Sequence, residues 1–355
     1  MALRVIALTV AICCTSSLDA QKKDPYKDVD NDVRLKALRY AQVWNPVNVA
    51  SVDIKAGPQD VPGFAAGAEV TCDYVEEKLT GTPKFNCALA PKDTVRVKYG
   101  AENGEVYSEV AASRLFWALG FGADRLFPVT VVCKDCPADP IKNYKKVSGT
   151  RTFAPAVIER KIPGDEIALF KDSGWDWVEL TFVDQTVGGA PLAHRDALKL
   201  LAAFIQHTDN KPQQQRLACL DKEMGKTPSA DGSCAHPFML INDLGKTFGT
   251  ATMFNTNTKS AVNLKEWSNT PVWKSDTGCV AQLSKSMTGS LEHPKIGEAG
   301  RRFLSDLLSQ LSDQQLRDLF EVAQFTKRDP STTVDGWVAA FKKKRDDIAS
   351  RTCSS

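Results

Sequence analysis

The chain has little excess charge, no long apolar run beyond its first residues, and no internal repeat. With 45 Lys and Arg set against 43 Asp and Glu, the 355-residue sequence carries a formal net charge of +2. A field that weak gives no reason to expect nucleic acid or an anionic membrane surface as a partner. Beyond Ala20 no stretch approaches the apolar length that a membrane helix needs, so no stable membrane span is expected. Around Cys133-x-x-Cys136 no further pair of ligands stands at matching spacing, which sets a zinc site aside in favour of a small-loop disulfide. What remains is the composition of a globular protein, 43% hydrophobic and 25% charged, long enough for a two-lobed domain with a short extension.

Met1 to Ala20 carries Arg4, an apolar run from Val5 to Cys14 and a small-residue exit at Leu18-Asp19-Ala20. That is the pattern of a secretory signal peptide, and it predicts an exported protein, periplasmic or extracellular. Eight cysteines follow it, an even number that in an exported chain argues for disulfides. Cys72 and Cys87 flank Leu79-Thr80-Gly81-Thr82 almost symmetrically, as partners across a hairpin would. Cys219 and Cys234 bracket a polar insert, Asp221 to Ser233, that a bridge would pin.

From Gln21 to Pro62 the sequence is polar and proline-broken, with one amphipathic helix expected over Asp32–Val43. Strands are expected at Ala68–Val75, Lys84–Leu89, Thr94–Tyr99, Arg125–Val132 and Ala154–Glu159, with a helix over Ser108–Leu119 between the third and fourth. A second helix, Asp196–Gln206, leads into His207-Thr208-Asp209-Asn210-Lys211-Pro212-Gln213-Gln214. A short apolar run, Phe238–Ile241, leads into Asn242-Asp243-Leu244-Gly245. Amphipathic helices over Arg301–Leu308, Gln314–Phe325 and Val334–Ile348 close the chain. Two acidic residues, Asp209 and Asp243, thus stand at the ends of buried elements in polar turns. Metal-assisted phosphoryl transfer requires that arrangement: one carboxylate to receive a hydroxyl proton, another to hold magnesium against nucleotide phosphates.

The segment His207-x-Asp209-x-Lys211-Pro212 resembles the catalytic loop of protein kinases, and Asp243-Leu244-Gly245 resembles their metal-binding Asp-Phe-Gly with Leu for Phe. Gly81-x-Pro83-Lys84 is similar to the phosphate loop of the HipA-type kinases, so the likeness leans to the atypical branch that also holds the phosphoinositide kinases. The resemblance implies an α+β, two-lobed protein kinase-like fold, with an antiparallel β-sheet small lobe and a mainly helical large lobe. Its divisions would be 1–20 signal peptide, 21–62 extension, 63–160 small lobe and 161–355 large lobe. It implies ATP and Mg2+ or Mn2+ as cofactors and a hydroxyl-bearing substrate, protein or small molecule.

By the same resemblance Lys98 would position phosphates and Glu109, with Glu105 as a second candidate, would position Lys98. Gly81 and Lys84 would cover the phosphates, and backbone around Glu159 would contact adenine next to a hinge over Arg160–Asp172. His207 would hold the loop's backbone. Asp209 would serve the nucleophile and Lys211 would offset developing charge, while Asp243 and Gln214 would hold metal. Gln214 stands where kinases have Asn, and no Ala-Pro-Glu anchor follows Gly245. Two other readings are open: a secreted pseudokinase that binds nucleotide without turnover, and a disulfide-rich binding protein unrelated to kinases.

Overall fold

A computed structural model describes residues 30–168, 174–222, 233–249 and 261–353. The expected signal peptide, part of the expected hinge and most of the cysteine-bracketed insert lie outside them. The first described helix is α1 (Asn31–Tyr40), begun by Asp30, whose carboxylate accepts from Val33 N at 2.8 Å. Three strands follow, β1 (Glu69–Val75), β2 (Lys84–Ala90) and β3 (Asp93–Tyr99), then helix α2 (Glu105–Ala118) and two long strands, β4 (Arg125–Lys134) and β5 (Thr150–Arg160).

These five strands close into a barrel in the order β1-β2-β3-β5-β4. The expected antiparallel sheet is therefore corrected: four of the five pairings are antiparallel, but β1 meets β4 in parallel, with Cys72 opposite Cys133. The physical reason lies in the alternation of each strand. Val70, Cys72 and Tyr74 on β1, Phe85 and Cys87 on β2, Val95 and Val97 on β3, and Phe127, Val129, Val131, Cys133, Phe153, Ala156 and Ile158 on β4 and β5 form one apolar cluster. Closure removes all of it from water and leaves no sheet edge unpaired. Phe85, Tyr99 and Phe153 stack there with ring centroids 4.9–5.6 Å apart.

The rest of the chain builds a second and larger core. It consists of β6 (Asp165–Glu166), α3 (Leu192–Phe204), β7 (Gln215–Cys219), β8 (Pro237–Ile241), α4 (Leu264–Asn269), α5 (Glu298–Ser309), α6 (Asp313–Val322), α7 (Phe325–Arg328) and α8 (Val334–Ser350). Strands β6, β7 and β8 make a small antiparallel sheet, and α3 packs on α5. Trp267, Trp337, Phe248, Phe320 and Phe341 lie in the helical core. Residues expected to lean on this core as an extension enter it: Ala37, Leu38, Ala41 and Val43 are buried there. Arg34 reaches in to Glu179 at 2.9 Å and to the carbonyls of Ile167 and Gly174.

Helix α2 belongs to the larger core, packs against β3, β4 and β5 as well as α6 and α7, and is buried along almost its whole length. A helix buried on every side has no solvent face for its polar residues, so each needs a partner within the protein. Arg114 donates to the carbonyls of Ile54 and Lys55. Glu105, Ser108 and Glu109 turn the other way, toward the cleft between the cores.

Among the described residues four disulfides are present: Cys72–Cys87, Cys133–Cys136, Cys219–Cys234 and Cys279–Cys353. The first three are those the spacing predicts. The fourth joins the loop after α4 to the chain's C-terminal end. Among the described residues no helix is long and apolar enough to cross a membrane.

Candidate active site

β3 alternates, so Val95 and Val97 face the barrel and Arg96 and Lys98 face away from it. Lys98 is nevertheless almost wholly buried, only 3% exposed. Its ammonium lies 2.5 Å from Glu109, 3.5 Å from Glu105, 3.8 Å from Glu159 and 3.9 Å from Asp243. Three elements therefore bring four carboxylates to one cation: α2 supplies two, β5 one, and the turn after β8 the last. Burial pulls the ammonium down, but Asp243, Glu109, Glu105 and Glu159 together hold it well above the ordinary lysine range. Glu109 is pushed well above the ordinary carboxyl range by burial, against the pull of Lys98. Asp243 is held low, because Lys98 and the Gly245 amide outweigh the effect of burial.

The turn Asp243-Leu244-Gly245 is held by α2. Asp243 Oδ1 accepts from Gly245 N at 3.0 Å, Glu109 Oε1 from Leu244 N at 3.4 Å, and Ser108 Oγ donates to Gly245 O at 2.5 Å. A Cβ on Gly245 would lie 2.5 Å from Glu105 Cγ, so this close approach needs glycine. On the opposite wall Gly81, with φ +89°, turns the loop between β1 and β2, and Thr82 Oγ1 donates to Glu105 Oε2 at 2.8 Å.

Asp209 closes the far side. The loop after α3 is stabilised by Asn210, whose amide donates to His207 O and Leu291 O and whose oxygen accepts from Ser290 N and Leu291 N. This corrects the role expected of His207. Its ring is buried, neither nitrogen has a hydrogen-bond partner among the described residues, and burial holds it down to about 4. Asp209 Oδ2 accepts from Lys246 at 3.0 Å and from Gln214 at 3.1 Å, and Lys211 lies 3.3 Å from the carboxylate. Burial pushes Asp209 up, but Lys246, Lys211 and Gln214 outweigh it and hold the group below the usual range.

Thr80, Gly81, Thr82, Lys84, Glu105, Asp209, Lys211, Gln214, Asp243 and Lys246 line one cleft of about 520 Å³. A second hollow of about 540 Å³ is lined by Asn86, Arg96, Glu159, Arg160 and Asn242 among others, Asn242 being the residue before Asp243. The sequence alone assigns no role to Lys246, Asn210 or Ser108. Lys246 was detectable from its position directly after Gly245. Glu159, expected to offer only backbone, directs its carboxylate at Lys98. Trp175 and Trp177 are buried beside these loops, Trp175 donating to Leu240 O and Trp177 to Asn210 O.

No family model and no curated protein matches the chain. Solved structures do match. The crystal structure of a Helicobacter pylori proinflammatory kinase, CtkA, aligns with 78% of this chain and 99% of its own, at 11% identity and a TM-score of 0.40. At that identity the chemistry of the cleft has to be read from its own residues.

Those residues suit a hard divalent cation. Glu105, Glu109 and Asp243 each offer a carboxylate oxygen, all within 4.8 Å of one another, and oxygen donors of this kind are what Mg2+ and Mn2+ take. Gln214 lies on the same cleft with its amide donating to Asp209, so metal ligation through its oxygen calls for rotation away from that bond. A nucleotide fits the donor set as well. Lys84, Lys211 and Lys246 bring cationic charge to one cleft, Lys98 pairs with its Glu105 and Asp243, and Asn242 Oδ1 on the second hollow is buried with no partner among the described residues.

Proposed function

We propose that this chain is an exported, kinase-like phosphotransferase that uses ATP and Mg2+ or Mn2+ to move the γ-phosphoryl group to a hydroxyl. The barrel serves as the small lobe and the helical core as the large one. The observation that carries the reading is Lys98, a buried cation held by carboxylates from α2, β5 and the Asp243 turn. A lysine buried among four acids contributes little as a structural pair, since desolvation offsets most of the Coulombic gain. Its value lies in presenting a fixed positive charge to an anionic ligand.

In this reading the hollow beside Glu159, Arg160 and Asn242 takes the base, and Gly81, Lys84 and Lys98 take the phosphates. Bound metal would neutralise charge on the β- and γ-phosphates, held by Asp243 and Gln214, with Glu105 within reach. Asp209 orients the acceptor hydroxyl and takes its proton, while Lys211 and Lys246 offset charge on the transferring group. The four disulfides accord with an oxidising compartment. The preference for protein Ser/Thr acceptors over lipids or small metabolites, and for the HipA and phosphoinositide kinase branch, rests on motif likeness alone.

One observation favours a second reading. Gln214, expected on the metal, is engaged by Asp209, which suits a pseudokinase that binds nucleotide without transfer. Labelled ATP with Mg2+ or Mn2+, offered to the oxidised protein beside Asp209→Ala and Asp243→Ala, separates the two. Transfer lost in both variants supports the kinase; metal-dependent binding without transfer to any acceptor supports the pseudokinase.

A further inference from the structure

Asp209 has two carboxylate oxygens, and the structure uses them differently. Oδ2 accepts from Lys246 and Gln214. Oδ1, which Lys211 also reaches at 3.3 Å, accepts from a hydroxyl of the chain itself, Ser286 Oγ, at 3.4 Å. The contact is long-range in sequence, and it is built. Ser286 N donates to Thr208 O at 2.8 Å, and Gly289 N closes a turn onto Ser286 O at 3.1 Å. Asn210 Oδ1 then accepts from Ser290 N and Leu291 N, both at 2.9 Å. A Cβ on Gly289 would lie 2.8 Å from that same oxygen, so glycine lets the segment come this close. The segment is thus fastened to the Asp209 loop at Ser286 itself and again at Ser290 and Leu291. The neighbouring side chain, Met287, is 87% exposed, so the turn lies at the surface with its serine directed inward.

We infer that Ser286 is the chain's own phosphoacceptor: its hydroxyl is presented to Asp209 by a fixed turn, and the protein phosphorylates itself there in cis. The inference rests on the kinase reading above, since ATP supplies the phosphoryl group. Ser286 Oγ forms the new bond to the γ-phosphorus, and the bond from that phosphorus to the β,γ-bridging oxygen breaks. ADP leaves with the electron pair, and the serine proton passes to Asp209. The same segment carries Ser284, Thr288 and Ser290, but of these described hydroxyls it is that of Ser286 that donates to Asp209. The phosphate so placed would stand beside the Asp209 carboxylate, and like-charge repulsion would then drive the turn off the loop and clear the base for another acceptor.

The test is site mapping on the full, oxidised chain incubated with ATP and Mg2+, with an unrelated hydroxyl acceptor, a Ser/Thr-containing peptide, assayed in parallel. The expected result is one phosphate on Ser286, formed at a rate constant that does not change on dilution, as an intramolecular step requires. Asp209→Ala lowers the rate about a hundred-fold or more. Ser284→Ala and Thr288→Ala keep the label. Ser286→Thr converts phosphoserine to phosphothreonine at the same position, a change that a purely structural serine would not produce. Phosphate on another residue, a rate that rises with protein concentration, or full labelling of Ser286→Ala overturns the inference. Labelling of the peptide with none on the chain overturns it while leaving the kinase reading intact. No transfer to either sinks both.

Discussion

The two faces of β3 and β5 show how one set of strands serves opposite ends. Toward the barrel, Val97 and Ile158 join an interior without a charge, threaded by sulfur: Cys87 and Cys133, from two different disulfides, lie 3.7 Å apart at the parallel seam. One residue further along each strand, Lys98 and Glu159 enter a cleft dense in buried charge. The barrel gains stability from burial and cross-links. The cleft spends some of it, because each buried ion is desolvated and repaid only by its partners. The two regions should therefore fail in different ways. Damage to the barrel should melt the protein without selective loss of ligand, and damage to the cleft should change ligand and charge first.

The largest effect expected is at Lys98. Lys98→Ala removes the single ammonium among four carboxylates and should cost about 3–5 kcal/mol in chemical denaturation, the range for breaking a buried pair. Lys98→Ala together with Glu109→Gln should recover part of that, because Glu109 no longer needs the cation. If the double variant is no more stable than the single, the carboxylates are not what the lysine holds. The barrel counterpart is Cys72→Ala with Cys87→Ala. Opening a loop of sequence separation 15 should cost about 3 kcal/mol by chain entropy. Nucleotide affinity of the protein still folded should be unchanged, and a selective loss of binding would break the comparison.

Acid should reach the cleft through His207. Its imidazole is held down to about 4, below the ordinary value of 6.5. The unfolded chain then binds a proton that the folded one refuses, so stability falls as pH drops from about 6.5 toward 4, by up to about 3 kcal/mol. Denaturation midpoints measured across that window, with His207→Phe as control, check the sign: the variant should lose most of the slope.

What the sequence made legible was local. Alternation gave β1, β2 and β3 nearly to the residue, since each has one wet and one dry face. β5 begins earlier than expected, at Thr150, because Thr150, Arg151 and Thr152 are polar and exposed and are held as strand only by pairing with Lys134, Cys133 and Val132. α2 begins at Glu105 rather than Ser108 because Gly104 offers no capping side chain to mark the start. Barrel closure was invisible, since periodicity shows that a strand exists and not which strand lies beside it. Cys279 and Cys353, 74 positions apart, have no shared local context. In the cleft, motif spacing singled out Gly81, Lys98, Asp209 and Asp243, which the fold gathers. Asn210, Lys246 and Ser286 act through contacts made only once the chain has folded.

The smallest effect pairs one hydroxyl from each region. Thr82 Oγ1 ties the Gly81 loop to Glu105 at 2.8 Å, and Tyr99 Oη donates to Asp139 at 3.0 Å outside the cleft. Deleting either bond should cost about 1 kcal/mol. For Thr82→Val that cost should appear as a several-fold rise in the KM for ATP with kcat nearly constant, because the loop serves binding in ground and transition state alike. For Tyr99→Phe it should appear as lowered thermal stability with KM unmoved. A Tyr99→Phe variant that weakens ATP binding, or a Thr82→Val variant that only melts earlier, would mean that the barrel and the cleft are one cooperative unit, and the division of labour between the faces of β3 would not stand.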